Sequence, residues 1–253
     1  MQVSDMDPQD LVIEGDALEE LKKIEDSSID LILTDPPYNI SNQCVIGFST
    51  RKDMTHDFGE WDHGMITPDM WIPECCRVLK DTGVFISFYA KERMFQIMGI
   101  LDEQGFTLRH IGTWCKTNPP PQARKVKWMN GTEHFIIATK NSGTGHHFNI
   151  DIPQSPDWFK SGKCGGSERL DHPTQKPLDL GLWIVRYWSF PGDVVLDPFA
   201  GTGTFGIAAL ELGRMAIMIE NDPQYCAMIH KRLESVRPGQ ILAMDRVNAH
   251  DFF

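Results

Sequence analysis

The chain has 253 residues, 41% hydrophobic and 23% charged, a balance that permits one large α/β domain with an ample core and excludes a mainly disordered protein. No apolar run reaches the roughly 20 residues needed to span a bilayer, and the first residues lack a basic stretch followed by an apolar one, so a cytoplasmic protein is expected. The formal net charge of −11 excludes a uniformly cationic surface, so any contact with nucleic acid must be local.

In chain order, residues 11–16 read as a short apolar strand ending in a turn, and Leu18, Leu21 and Ile24 carry helical spacing over 17–24. Residues 29–34 form a compact apolar run of the kind that makes a buried parallel strand, and its C-terminal end delivers Asp35 to the sheet edge where open α/β sheets bind ligands. Residues 39–73 have little apolar periodicity and many turn formers, which predicts a long loop with a short helix beginning near Pro68. A strand over 83–89, an amphipathic helix over 91–104 and a strand over 106–114 follow.

The run of prolines at 119–121 cannot donate backbone hydrogen bonds and must leave regular structure. Between Glu103 and Glu133 there is no acidic residue, whereas Arg109, Lys116, Arg124, Lys125 and Lys127 are basic and Trp128 adjoins them. That stretch is either a solvated loop or a basic face for nucleic acid, with Trp128 available to stack on a base. A strand over 133–139 precedes a glycine-rich irregular segment at 141–171. A helix over 178–188, a strand over 193–196, a glycine turn, a helix over 205–212, a strand over 215–219 and a closing helix over 223–236 complete the pattern, with Pro223 in a first helical turn. Alternating strands and helices imply a mostly parallel sheet. The six cysteines contain no CxxC pair, so neither a zinc site nor a disulfide framework is indicated.

Two segments carry chemistry. Asp197-Pro198-Phe199-Ala200-Gly201-Thr202-Gly203-Thr204 turns a strand into a helix, and its glycines let the backbone approach a ligand closely while the helix start offers free N–H groups. Glu220 falls at the end of the next strand, where nucleoside-binding folds place the acid that holds ribose hydroxyls. Gly201, Gly203 and Gly206 also satisfy GxGxxG, so a nicotinamide oxidoreductase is the rival reading, although little chain remains after them to build a substrate domain. The second segment is Asp35-Pro36-Pro37-Tyr38. An exocyclic amino group on a nucleobase is a weak nucleophile because its lone pair is delocalised into the ring. The Asp35 carboxylate and a Pro36 carbonyl held by two prolines can accept both amino hydrogens and localise that pair, while Tyr38 stacks on the base. Such a base must first leave the duplex.

These segments resemble the amino-type DNA methyltransferases, in the permuted beta class whose catalytic tetrad precedes the glycine turn. Three further segments resemble motifs of that group: Gly15-Asp16-Ala17, Trp114-Cys115-Lys116-Thr117-Asn118-Pro119, and His172-Pro173-Thr174-Gln175-Lys176-Pro177. The resemblance implies an α/β fold, a doubly wound, mostly parallel seven-stranded sheet of the Rossmann-like methyltransferase type in permuted motif order, and S-adenosylmethionine as cofactor, with no metal. It places Asp16 and Ala17 at the cofactor adenine, and Thr174, Gln175 and Lys176 at its methionine portion. Asp35, Asp197, Phe199, Ala200, Gly201, Thr202, Gly203, Thr204, Glu220 and Asn221 complete the implied cofactor set, with Asp35, Pro36, Pro37 and Tyr38 catalytic. His172 reads as a turn residue, since no base stronger than Asp35 is needed.

The expected reaction is methyl transfer to the N6 amino group of a flipped adenine in double-stranded DNA. Rivals are N4-cytosine methylation, methylation of a protein amide, the oxidoreductase above, and a DNA-binding module lacking chemistry. The expected DNA contacts are Lys116, Arg124, Lys125, Lys127 and Trp128, with target recognition in 39–73 and 141–171 of one catalytic domain spanning 1–253. The resemblance also makes a homodimer reasonable and leaves open a cognate restriction endonuclease.

Overall fold

The computed structural model describes residues 12–38, 45–46, 54–55, 66–121, 125–237 and 239. The chain begins with strand β1 (Val12–Glu14), helix α1 (Ala17–Leu21) and strand β2 (Ile29–Thr34), followed by a small antiparallel pair, β3 (Val45–Ile46) and β4 (Met54–Thr55). Helix α2 (Pro68–Val78) leads into β5 (Leu79–Tyr89), and a 3-10 turn (Lys91–Arg93) opens α3 (Met94–Glu103). Next come β6 (Thr107–Lys116), β7 (Thr132–Thr139), β8 (Trp158–Ser161) and a 3-10 turn (Gly166–Glu168). Helix α4 (Leu178–Trp188), β9 (Val194–Asp197), α5 (Thr204–Glu211), β10 (Met215–Glu220) and α6 (Pro223–Leu233) close the described chain.

The main sheet has eight strands in the order β1-β10-β9-β2-β5-β7-β6-β8. Every neighbouring pair is parallel except those made by β7, which runs against both β5 and β6. Strand β2 is buried along its whole length, as an unbroken apolar run in a parallel sheet requires. Leu31 and Leu33 face a core layer with Ile184 and Val185 of α4 and Phe205 and Ala208 of α5, while Ile32 faces the opposite layer with Trp71 and Ile72 of α2 and Ile97 of α3. The sheet is therefore covered on both faces, and its strand ends are the place left for a ligand.

The expected doubly wound sheet is present, but with eight strands instead of seven. The additional strand is β8, which lies inside the segment read as irregular and pairs with β6 from Thr113↔Trp158 to Lys116↔Ser161. Only four residues long and alternating between exposed and half-buried, it lacks enough pattern to be seen locally. Phe159 holds it down by stacking on Trp183 of α4 at a ring separation of 5.3 Å. Helix α1 is shorter than the periodicity suggests; Ile24 is still buried, but in the turn beyond the helix. Strand β5 starts before Gly83, because Leu79 pairs with Ile29 across a register shift. No helix among the described residues is long and apolar enough to cross a membrane. Apart from 45–46, 54–55 and 66–73, the expected loop 39–73 lies outside the described residues, as does Arg124.

Candidate active site

Parallel strands bring their C-terminal ends to one edge, so β1, β2, β9 and β10 present Gly15, Asp35, the glycine turn and Glu220 side by side. Two bonds lock this edge. The Thr34 hydroxyl at the end of β2 donates to Asp197 Oδ1 at 2.7 Å, and Gly15 N–H donates to the Glu220 carbonyl at 2.9 Å. The glycine turn is left-handed at Gly201 (φ 53°) and Gly203 (φ 76°). A Cβ on Gly203 would also lie 3.0 Å from Ile229 Cγ1 and 3.1 Å from Met218 Sδ, so both the space and the backbone require glycine there. A Cβ at Gly206 would come within 2.2 Å of Met218 Sδ, so the absence of a side chain there is what allows α5 to pack this closely on β10.

Glu220 binds this turn from the next strand: Oε2 accepts the Gly201 N–H at 2.7 Å and Oε1 the Asp222 N–H at 2.9 Å. Burial raises its pKa, while those N–H groups oppose the rise. A carboxylate has about four acceptor positions, so the two bonds leave capacity for the hydroxyls of a sugar. Arg232 of α6 clamps the other side of the turn, donating to the Thr202 carbonyl at 2.6 Å and Thr204 Oγ1 at 3.2 Å. His172 lies against the turn, its Nε2 3.2 Å from where a Gly201 Cβ would be. Burial and the charges of Lys176 and Arg169 lower its pKa to about 4, so the ring is neutral and Nδ1 accepts the Thr174 N–H at 3.2 Å. It is a turn residue, as its place in the sequence suggests.

Asp35 stands immediately beyond β2, with Pro36 and Pro37 buried behind it. Its Oδ1 accepts the Tyr38 hydroxyl at 2.6 Å and its Oδ2 binds the Lys176 ammonium. Burial lifts the Asp35 pKa above the ordinary carboxylate range against the pull of Lys176. Burial and the adjacent Asp35 push Tyr38 well above its ordinary value, so its hydroxyl remains a donor. Lys176 itself is only 6% exposed. Burial disfavours its charge, but Asp35 and Glu133 outweigh that and raise its pKa. Its ammonium lies 5.1 Å from the Phe88 ring centroid and 3.1 Å from Glu133 Oε2, while its backbone carbonyl accepts the Thr204 hydroxyl at 3.2 Å. Lys176 thus touches both the tetrad and the helix that leaves the glycine turn, placing the two segments on one cleft.

Several expected roles change in detail. Tyr38 spends its hydroxyl on Asp35 and sets its ring edge-on to Tyr89 at 5.4 Å. Asp197 is 2% exposed and serves the fold, accepting from Thr34 and from the Phe199 N–H at 3.2 Å; burial pushes its pKa to about 7. Gln175 is buried and spans a loop, taking the Leu170 N–H at 2.8 Å and giving its amide to the Glu168 carbonyl at 2.9 Å. Ala200, Thr202 and Thr204 are buried in the turn, Ala17 is buried in α1, and Asp16 caps that helix through the Leu18 N–H at 2.8 Å. Phe199 packs edge-on against Trp71 at 5.4 Å, and Thr174 and Asn221 lie beside His172 and Glu220. Lys116 departs from its expected DNA-binding role: its side chain is 8% exposed and tied to Glu133 Oε1 at 2.5 Å. Lys125, Lys127 and Trp128 are exposed, Trp128 at 96%.

Glu133 was not among the expected site residues. It lies at the start of β7, and because β7 is antiparallel its beginning reaches the edge where the other strands end. Its one sequence signal is that it terminates the acid-free stretch.

A doubly wound sheet with one antiparallel strand, a glycine turn faced by an acid on the next strand, and an acid-Pro-Pro-Tyr tetrad at the same edge define an α/β group-transfer enzyme acting on a planar amino group. Residues 29–231 match the sequence profile of the DNA methylase family, and the chain belongs to that family. It is 33% identical over 252 residues to the Type II methyltransferase M.HinfI of Haemophilus influenzae, covering 90% of this chain and 69% of that protein. It is 31% identical to the Type II methyltransferase M2.MboI of Moraxella bovis over 242 residues, covering 90% of this chain and 88% of that one. The crystal structure of an M1.HpyAVI–SAM complex superposes with a TM-score of 0.68 at 26% identity, covering 87% of this chain and 98% of that one.

Proposed function

We propose that this methylase transfers a methyl group from S-adenosylmethionine to the N6 amino group of an adenine turned out of double-stranded DNA. The observation that carries this reading is the link from Asp35 through Lys176 to Thr204, which joins an amino-group acceptor to a nucleoside-binding turn. The cofactor fits the residues present: Glu220 retains acceptor capacity for ribose hydroxyls, and Gly201 and Gly203 leave backbone where side chains would intrude. Asp16 and Asn221 follow Gly15 and Glu220, which are bonded to each other, and Thr174 bonds His172, which lies against Gly201. When bound, S-adenosylmethionine supplies a methyl group on a sulfonium, whose departure leaves a neutral thioether.

The protein's own part is to prepare the amino nitrogen. Lys176 and Tyr38 orient Asp35 and oppose the effect of its burial, and its oxygens are the acceptors offered to an amino hydrogen. The Pro36 carbonyl is the natural second acceptor, since two prolines fix its direction. As the N–CH3 bond forms, the nitrogen acquires positive charge and Asp35 accepts the proton it gives up. Tyr38, half-buried, provides ring surface for the base.

Contact with DNA falls to the exposed loop carrying Lys125, Lys127 and Trp128, which joins β6 to β7 at the catalytic edge, where Asn130 meets Lys91 at 3.4 Å. We assign target choice to 39–73 and 141–171. The relatives' designation as Type II methyltransferases supports a restriction–modification setting with a cognate endonuclease, and a short recognition surface favours a homodimer.

Nucleoside mass spectrometry of DNA incubated with the purified protein and S-adenosylmethionine tests the proposal. N6-methyladenine is the expected product; N4-methylcytosine would transfer the reading to cytosine, and unmodified DNA would end it.

A further inference from the structure

Four charged side chains form a string of alternating sign at the catalytic edge: Lys116, Glu133, Lys176 and Asp35. Glu133 Oε1 lies 2.5 Å from Lys116 Nζ and its Oε2 lies 3.1 Å from Lys176 Nζ, while Lys176 also binds Asp35. The two lysine side chains are 6% and 8% exposed, and the Glu133 and Asp35 side chains 24% and 17%. The string ends at the Tyr38 hydroxyl. Removing a partner from a buried ammonium leaves an uncompensated charge, so Lys176 resists losing Asp35 unless another anion stays beside it.

We propose that Glu133 is a positioning residue for Asp35. It gives the Lys176 ammonium a second carboxylate, so that Asp35 can turn toward a substrate amino group without leaving a lone cation in the cleft. This inference rests on the reading in which Asp35 receives the amino group.

Three features support it. Glu133 is brought to this edge only by the antiparallel direction of β7, and its register there is held by the Trp114↔Glu133 pairing with β6. Lys116 fixes its other oxygen, so the carboxylate is aimed and not merely near. The Glu133 pKa is lowered although burial acts to raise it, because Lys176 and Lys116 together outweigh burial; the group therefore remains the anion this role requires. The chemistry is an exchange of partners in which no bond is made or broken at Glu133.

The test compares wild-type, Glu133→Gln and Glu133→Asp proteins by steady-state methylation of DNA, by S-adenosylmethionine titration and by thermal melting. In Glu133→Gln the lysine keeps Asp35 as its only anion among the described residues, and kcat is expected to fall about tenfold or more. The cofactor dissociation constant and the KM for DNA should stay within about twofold, and Glu133→Asp, which keeps the charge, should recover part of the lost kcat. A Glu133→Gln kcat within about twofold of wild type overturns the inference, as does cofactor affinity that weakens in step with kcat, or a Glu133→Asp protein no better than Glu133→Gln. If Glu133→Gln does not fold, Glu133→Asp decides: a lower kcat with unchanged cofactor affinity supports the role, and wild-type kcat or a parallel loss of cofactor binding overturns it. A wild-type protein that methylates no DNA would instead defeat the functional reading beneath it.

Discussion

Asp35 is an acid bound by Lys176 and Tyr38 against the effect of burial, and the acid and its tyrosine partner can be tested separately. Asp35→Asn keeps the shape but loses the anion, and is expected to lower turnover by about a thousandfold while leaving cofactor binding within a fewfold in calorimetric titration. Tyr38→Phe loses only the 2.6 Å hydroxyl bond to Asp35. A bond of that kind contributes about 1–1.5 kcal/mol, so kcat should fall roughly fivefold to tenfold with little change in the KM for DNA. Tyr38→Ala removes the ring as well and should raise that KM, which single-turnover kinetics on a hairpin duplex would separate. The sequence offers Tyr38 as a ring for stacking but not its hydroxyl partner, because an O–H bond between residues three apart depends on how the Pro-Pro turn folds back. His172 gives a pH prediction. Its pKa is lowered to about 4 by burial and by Lys176 and Arg169, so the folded state resists the proton that the unfolded chain accepts near pH 6.5. Stability is therefore full above about pH 6.5 and declines as pH falls toward 4, by about 2–3 kcal/mol at most. His172→Asn, whose side-chain oxygen can still accept the Thr174 N–H, should show a smaller loss over that window in urea unfolding at pH 5 and pH 7.5.

Among the elements, the strand-turn-helix unit from β9 to α5 is the most tightly specified. Gly203 combines φ 76° with neighbours at 3.0 and 3.1 Å from any added Cβ. Gly203→Ala must strain the turn and push against Ile229 and Met218, and is expected to destabilise the protein by about 1–3 kcal/mol and to weaken cofactor binding. A lower melting temperature together with a raised dissociation constant would check this. Wild-type values for both would show the turn to be more tolerant than its geometry. This unit, β2 and α4 were readable because their signals are local: an unbroken apolar run, glycine spacing, and helical periodicity. Strand β8 was not, since four residues on an edge show no usable period and are held by Phe159 against Trp183. Lys116 was misjudged for a related reason. It lies in a stretch of sequence without acidic residues, but its neighbour in space is Glu133.

At the scale of the whole molecule, a chain of net charge −11 must meet DNA through a limited face. The contacts proposed for that face, Lys125, Lys127 and Trp128, lie on the exposed loop after β6, whereas the Lys116 side chain is turned to Glu133. Lys125→Gln with Lys127→Gln should weaken binding to all DNA sequences about equally and reduce the slope of log K against log salt by about two, one for each phosphate no longer neutralised. Fluorescence anisotropy over a salt series measures this, and an unchanged slope would remove the loop from the interface. Trp128→Ala should weaken binding with little change in slope, because stacking is not ionic.

The sequence by itself determined the class of chemistry and the order of its parts. Both reactive segments are short, and what each needs, a rigid acceptor after a buried strand or glycines before a helix, is written in adjacent residues. Only the tertiary structure decided which charges share the cleft. The direction of β7 carries Glu133 to the catalytic edge, Lys176 bridges from the glycine turn to Asp35, and Lys116 is drawn inside to complete the string. Such pairings form between residues far apart in the chain, where attraction between buried charges depends on distance in space and leaves no local pattern to read.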